Sequence, residues 1–151
     1  MVGLVLVLLA LERFHSPALA GVVTFLSLAP GLLLSPIAGA LLDRHGRTRL
    51  IFLDYLIAAA SLSLIVLFGS TDLLSDVLLL VIVTVQSLTF PLSQTGVRTL
   101  FPLLVPRQLW ERANAVDSNL YVISSVAGPA AAGVLVASFG SLWALGVTAA
   151  M

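Results

Sequence analysis

The sequence contains no cysteine, which excludes a disulfide framework and any thiolate metal site. It contains no lysine either: all seven cations are arginine. Charge of either sign is scarce. Charged residues make up 9% of the chain, against roughly 25% in an average soluble domain. Seven acids balance the seven arginines, so the net charge is zero and no global field points to nucleic acid. Apolar residues fill the space instead, at 60% of the composition with a mean hydropathy of +1.14. A chain of 151 residues could form one ordinary domain. A soluble domain this apolar could not cover its surface with polar groups, so the implied solvent is lipid.

A spanning helix needs about 20 predominantly apolar residues. Residues 18–42 and 77–97 are uncharged, 50–69 carry only Asp54, and 113–137 carry only Asp117. Shorter apolar pieces lie at 1–11 and 139–151. The expectation is an all-α membrane protein: a transmembrane helix bundle with four full spans and two partial ones, forming a single membrane domain over residues 1–151. Helices are favoured because backbone polar groups in lipid must be satisfied within the segment. Prolines at 30, 36, 91 and 129 are expected to kink them. The opening segment has an apolar core and an A-x-A-like Ala18-Leu19-Ala20, as signal peptides do. It lacks a positive leading region and another apolar span follows at once, so it reads as the remainder of a first span.

The arginines predict orientation. Arg44, Arg47 and Arg49 follow the 18–42 span, and Arg98, Arg107 and Arg112 come two spans later, hence on the same side. The opposite side holds Arg13 with Glu12, Asp72 and Asp76. The positive-inside rule then makes the 43–49 and 98–112 loops cytoplasmic. The location expected is a cell membrane, most simply a bacterial plasma (inner) membrane.

The stretch GALLDRHGRTRL, residues 39–50, concentrates charge in a chain that avoids it. Asp43 falls where a helix should end, and an acid there opposes the helix dipole. It needs a nearby arginine or the N-terminus of another helix. Gly46 can adopt a left-handed conformation and close the helix in a tight turn. Gly39, between two alanines, offers a small patch for close helix approach. The cluster reads as a short, rigid, charged clasp; a stop-transfer role alone explains the arginines but neither Asp43 nor the glycines.

GALLDRHGRTR resembles the loop motif between helices 2 and 3 of the major facilitator superfamily, G-x-x-x-D-R-x-G-R-x-R. Gly39, Asp43, Arg44, Gly46, Arg47 and Arg49 fall on its positions, while Thr48 stands where a basic residue is frequent. The resemblance implies a gate latch, with the acid facing a helix of the second half and the arginines tying neighbouring elements. SSVAGPAAAG, residues 124–133, is similar to the helix-5 motif of the superfamily's exporters: Gly128, Pro129 and Gly133 match, and Ser124 and Ala132 replace glycines. Residues 101–118, FPLLVPRQLWERANAVDS, resemble the loop between helices 4 and 5 of a bacterial subgroup described as siderophore or macrolide exporters. Together these imply a partial N-terminal half of a major-facilitator fold, from the end of helix 1 to the start of helix 6. They imply as partners a second six-helix half, a lipid bilayer and a small-molecule substrate.

Polar groups at membrane depth mark candidate transport paths. Gln86, Thr89 and Ser93 share one helix face beside Pro91 and are possible cavity-lining residues. Asp54, Asn114, Asp117 and Asn119, near span ends, read as interfacial or paired with loop arginines. Helix 4 lacks the embedded arginine of many proton-coupled exporters in the family. His15 and His45 lie on opposite faces, so no metal site is expected. No Ser/His/Asp or paired-carboxylate arrangement stands out, so no catalytic residue and no enzyme activity are expected. No phosphate-cradling glycine loop is present, which argues against an ATP-driven pump; no cofactor is expected. The leading reading is a secondary active transporter that exports small amphipathic molecules by alternating access. The rivals are a non-transporting membrane protein or degenerate transporter fragment, and a soluble module placing its arginines on nucleic acid, against which the composition speaks.

Overall fold

The computed structural model describes residues 2–150. It consists of six α-helices: α1 (Val2–Phe14), α2 (Pro17–His45), α3 (Arg47–Ser70), α4 (Asp76–Leu104), α5 (Trp110–Phe139) and α6 (Ser141–Ala150), with a short 3-10 turn, Arg107–Leu109, before α5. No strand occurs among the described residues. Four segments are long and apolar enough to cross a membrane: Pro17–His45, Arg47–Ser70, Asp76–Leu100 and Arg107–Phe139. The chain folds as an all-α membrane helix bundle.

The helix ends follow local chemistry. Ser16 caps α2, its hydroxyl accepting from the Leu19 amide at 3.2 Å, and Pro17 occupies the first turn; there a missing N–H costs nothing. Ser75 does the same for α4 through the Leu78 amide, at 3.3 Å, with Asp76 in the first turn where the dipole favours an acid. Two junctions are single glycines in the left-handed half of backbone space: Gly46 (φ 90°) between α2 and α3, and Gly140 (φ 83°) between α5 and α6. The sequence singled out the first and not the second. Helices run beyond the uncharged stretches: residues expected as loops at 43–45, 47–49 and 98–104 are helical. Charge marks where hydrocarbon ends, not where backbone hydrogen bonding ends. The helices also continue through Pro30, Pro36 and Pro129.

Successive helices alternate in direction, so the bundle has two ends. Arg13 and the α3–α4 turn lie at one, and the Asp43–Arg49 cluster at the other. α1 and α6, of 13 and 10 residues, reach roughly 20 Å and 15 Å at 1.5 Å per residue. Both pack at the Arg13 end. The main core therefore sits there, with Val5, Leu9, Val23, Ile65, Leu79 and Leu145 buried in one cluster. At the other end a smaller cluster holds Ala38, Leu42 and Leu92. The first half of α5 lies uncovered, with Val116, Leu120, Ile123 and Val126 exposed.

Without a hydrophobic drive between helices in lipid, close packing of small residues matters most. Close approach occurs at three glycines. A β-carbon at Gly31 would lie 2.6 Å from the Ser87 carbonyl oxygen, and one at Gly96 would lie 2.6 Å from Ile51 Cγ1. One at Gly69 would meet the Leu142 side chain. By contrast, Gly39 and Gly133 have no neighbour within 4 Å of that position. The close approach anticipated beside Gly39 is not made within this bundle, because the packed faces of α2 lie at Gly31, Ala38 and Leu42 instead.

Candidate functional site

The charged cluster is built where three helix ends meet. Asp43 sits in the last turn of α2 and Arg47 is the first residue of α3. Each charge opposes its own helix dipole, and each offsets the other. The turn at Gly46 brings them together: Arg47 Nη2 donates to Asp43 Oδ1 at 2.8 Å. Its other terminal nitrogen, Nη1, donates to the Thr99 carbonyl near the end of α4, at 3.2 Å. One guanidinium thus joins α2, α3 and α4. Arg44 and Arg49 are exposed and make no salt bridge among the described residues. Beneath the cluster, Ile51 and Leu42 crowd Gly96, locking α3 and α2 onto α4.

The polar face on α4 divides. Thr89 donates to the Gln86 carbonyl at 3.2 Å and Ser93 to the Phe90 carbonyl at 3.2 Å, both within their own helix. Gln86 lines a crevice of about 210 Å³ between α1, α2 and α4, shared with Ser27 and Ser87. Ser93 lines a different crevice of about 160 Å³ with Tyr55, Gln94, Arg98, Asp117 and Tyr121. Gln86 and Ser93 thus border different crevices. On α5, Gly128 is half-buried and Pro129 exposed.

Of the two alternatives expected for Asp54 and Asp117, pairing with a loop arginine is not made among the described residues. Asp54 is 4% exposed and makes no salt bridge among the described residues. It lies on the inward face of α3 with Ile51, Ser61 and Ile65, and the nearest arginine in sequence on that helix, Arg49, is exposed while Arg47 is engaged elsewhere. Asp117 shares a crevice with Arg98 without an ion pair, because α4 and α5 scarcely touch.

The sequence reading missed Ser87. Buried in α4, it accepts from the Gly31 amide at 3.2 Å, an interhelical hydrogen bond at membrane depth next to Pro30. It also missed the clasp at the opposite end. Arg13 donates to the Gly69 carbonyl at 2.7 Å and to Asp72 at 2.9 Å, fastening α1 to the end of α3. Asp72 has φ 57°, a region that aspartate tolerates better than most residues. Three acids, Glu12, Asp72 and Asp76, and one arginine near that end were visible in sequence; which of them pair was not. No group of three metal-ligating side chains occurs among the described residues.

A multi-pass helix bundle with a guanidinium-bridged cluster across the α2–α3 turn defines an integral membrane protein of transporter architecture. The Major Facilitator Superfamily profile matches residues 1–151, and the chain belongs to that superfamily of membrane transporters. It is 43% identical over 147 residues to the uncharacterized MFS-type transporter y4rN of Sinorhizobium fredii, covering 97% of this chain and 36% of the relative. It is 28% identical over 147 residues to the multidrug efflux pump Tap of Mycolicibacterium fortuitum, covering 93% of this chain and 36% of the relative. The chain thus spans about a third of the length of the curated relatives it matches. No solved structure matches it significantly.

Proposed function

We propose that this bundle is the N-terminal half of a secondary transporter that exports small amphipathic molecules by alternating access, working against a second six-helix half. The Arg47 bridge carries the reading. Alternating access needs halves that move as units around a central site, and a guanidinium that binds an acid of α2 and a carbonyl of α4 makes the α2–α4 end move as one. Similarity to a protein named as a multidrug efflux pump supports the export direction. In this reading Asp43 alternates between Arg47 and a helix N-terminus of the second half. Gln86 in its crevice and Ser93 in the neighbouring one contribute polar contacts to the substrate wall, Thr89 orients the helix between them, and Gly128, Pro129 and Gly133 give α5 a smooth face toward the second half. The arginine-rich end lies in the cytoplasm.

The test is Asp43→Asn in a full-length transporter carrying this half. Asparagine keeps the shape and removes the charge, and insertion depends on apolar length rather than on this residue. The expected outcome is normal membrane abundance with efflux reduced roughly tenfold, about 1.4 kcal/mol of gate stabilisation. Equal efflux at matched abundance would remove the latch role.

A further inference from the structure

A groove of about 440 Å³ runs along the first half of α5, against the turn that follows α4. Val105, Leu109, Val116 and Leu120 give it apolar walls, and Arg112 and Asp117 also line it. From Leu109 to Leu120 it follows about 16 Å of helix at 1.5 Å per residue. That is the depth of one leaflet of a hydrocarbon core about 30 Å thick. We propose that this groove holds one acyl chain of an anionic phospholipid, whose phosphate is bound at the mouth by Arg112 and Arg107.

Direction, level and charge select that occupant. Further along α5, Ala132 and Val136 turn into the core. At 3.6 residues per turn, Val116 and Leu120 lie on the opposite side of the helix, and both are exposed. The groove thus faces out of the bundle. Pro129 and Gly133, which the transport reading turns toward the second half, lie off this face as well. The level is set by Trp110. Its indole N–H donates to the Val105 carbonyl at 2.8 Å, and the Arg107 guanidinium lies 5.6 Å from its ring centroid. Such an amphipathic ring settles at the membrane–water interface. Arg107 and Arg112, within a turn of Trp110, then stand at headgroup level, while Val116 and Leu120 descend into hydrocarbon. Neither arginine is in a salt bridge among the described residues. This end of the bundle holds six arginines against Asp43, Asp54, Glu111 and Asp117, so it is net positive. Glu111 falls on the far side of α5 from the groove. Asp117 also borders the neighbouring crevice, where Arg98 offsets its charge. A zwitterionic lipid offers the same phosphate but brings an ammonium to the same arginines.

The site is testable on the 151-residue chain whatever the direction of transport. The purified chain in detergent is titrated with dioleoyl phosphatidylglycerol and, separately, with dioleoyl phosphatidylcholine, and bound lipids are counted by native mass spectrometry. The first phosphatidylglycerol should bind roughly tenfold more tightly than the first phosphatidylcholine, the gain expected from two partly exposed arginines beside an anionic headgroup. Arg107→Gln combined with Arg112→Gln should abolish that preference. Arg44→Gln combined with Arg49→Gln removes as much charge from the neighbouring helix ends and should leave it intact. Val116→Phe narrows the groove without touching the charge and should weaken both lipids. Glycerol 3-phosphate in excess should displace neither, because it has no chain to place in the groove. Equal affinity for the two lipids, a preference that survives loss of Arg107 and Arg112, or one that disappears with Arg44 and Arg49 would each overturn the proposal. So would unchanged binding in Val116→Phe, or displacement of the lipid by glycerol 3-phosphate, which would reduce the groove to a small-anion site.

Discussion

Arg47 and Ser87 do similar jobs by different chemistry. Arg47 ties three helix ends with charge where water is near; Ser87 ties α2 to α4 with a neutral hydrogen bond where it is not. The second kind leaves little trace in sequence, since a serine facing its own helix and one reaching a neighbour look alike. Thr89 and Ser93 bond their own helix and Ser87 does not. Gly31 makes the Ser87 contact possible, and its replacement is predicted to be costly. In Gly31→Ala the new methyl would lie 2.6 Å from a backbone oxygen that cannot rotate away. Separating α2 from α4 should cost about 1–3 kcal/mol, more than the gain of up to about 1 kcal/mol in helix propensity. A lower unfolding midpoint in detergent than for the parent chain checks this; an equal or higher midpoint would show that the helices separate freely.

At the scale of elements, most of the fold could be read from the position of charges. The apolar stretches 18–42, 50–69, 77–97 and 113–137 each lie inside one helix, because apolar length governs insertion. The ends could not be read the same way. α4 continues past Arg98 to Leu104, since arginine is a good helix former. The motif glycines were legible as a turn at Gly46, a property of one residue's backbone. They were not legible as packing, because the neighbour of a glycine is chosen by the whole bundle: Gly31, Gly69 and Gly96 are crowded, and Gly39 and Gly133 are open. The element order predicts opposite exposure of the α2–α3 and α3–α4 turns. The chain has no cysteine, so Thr48→Cys and Thr71→Cys can be labelled singly in intact cells. An impermeant maleimide should label position 71 and spare 48. The reverse pattern would invert the topology.

For the whole molecule, the two ends differ in completeness. Six helices share a core at the Arg13 end, while the first half of α5 faces outward at the other. Gln86 and Ser93 border crevices that this bundle does not close. In the proposed reading this bundle supplies a single wall of a cavity that alternating access places between two halves. The 151-residue chain reconstituted alone in liposomes is therefore predicted to give no saturable efflux of labelled amphiphiles above that of empty vesicles. Saturable flux would mean that one half suffices, for instance as a pair of copies.

The seam between α2 and α4 also sets a timetable. Gly31 and Ser87 are 56 residues apart, with all of α3 between them. A ribosome therefore delivers α2 and α3 into the bilayer well before the partner of Gly31 exists. During that interval the Gly31 surface of α2 has only lipid, α1 or α3 beside it. The broadest interface in the bundle is consequently a late event of synthesis. Arg47 obeys the same clock, since it can hold Asp43 at once but must wait for Thr99. The grip that unites the three helices closes only when the fourth has arrived.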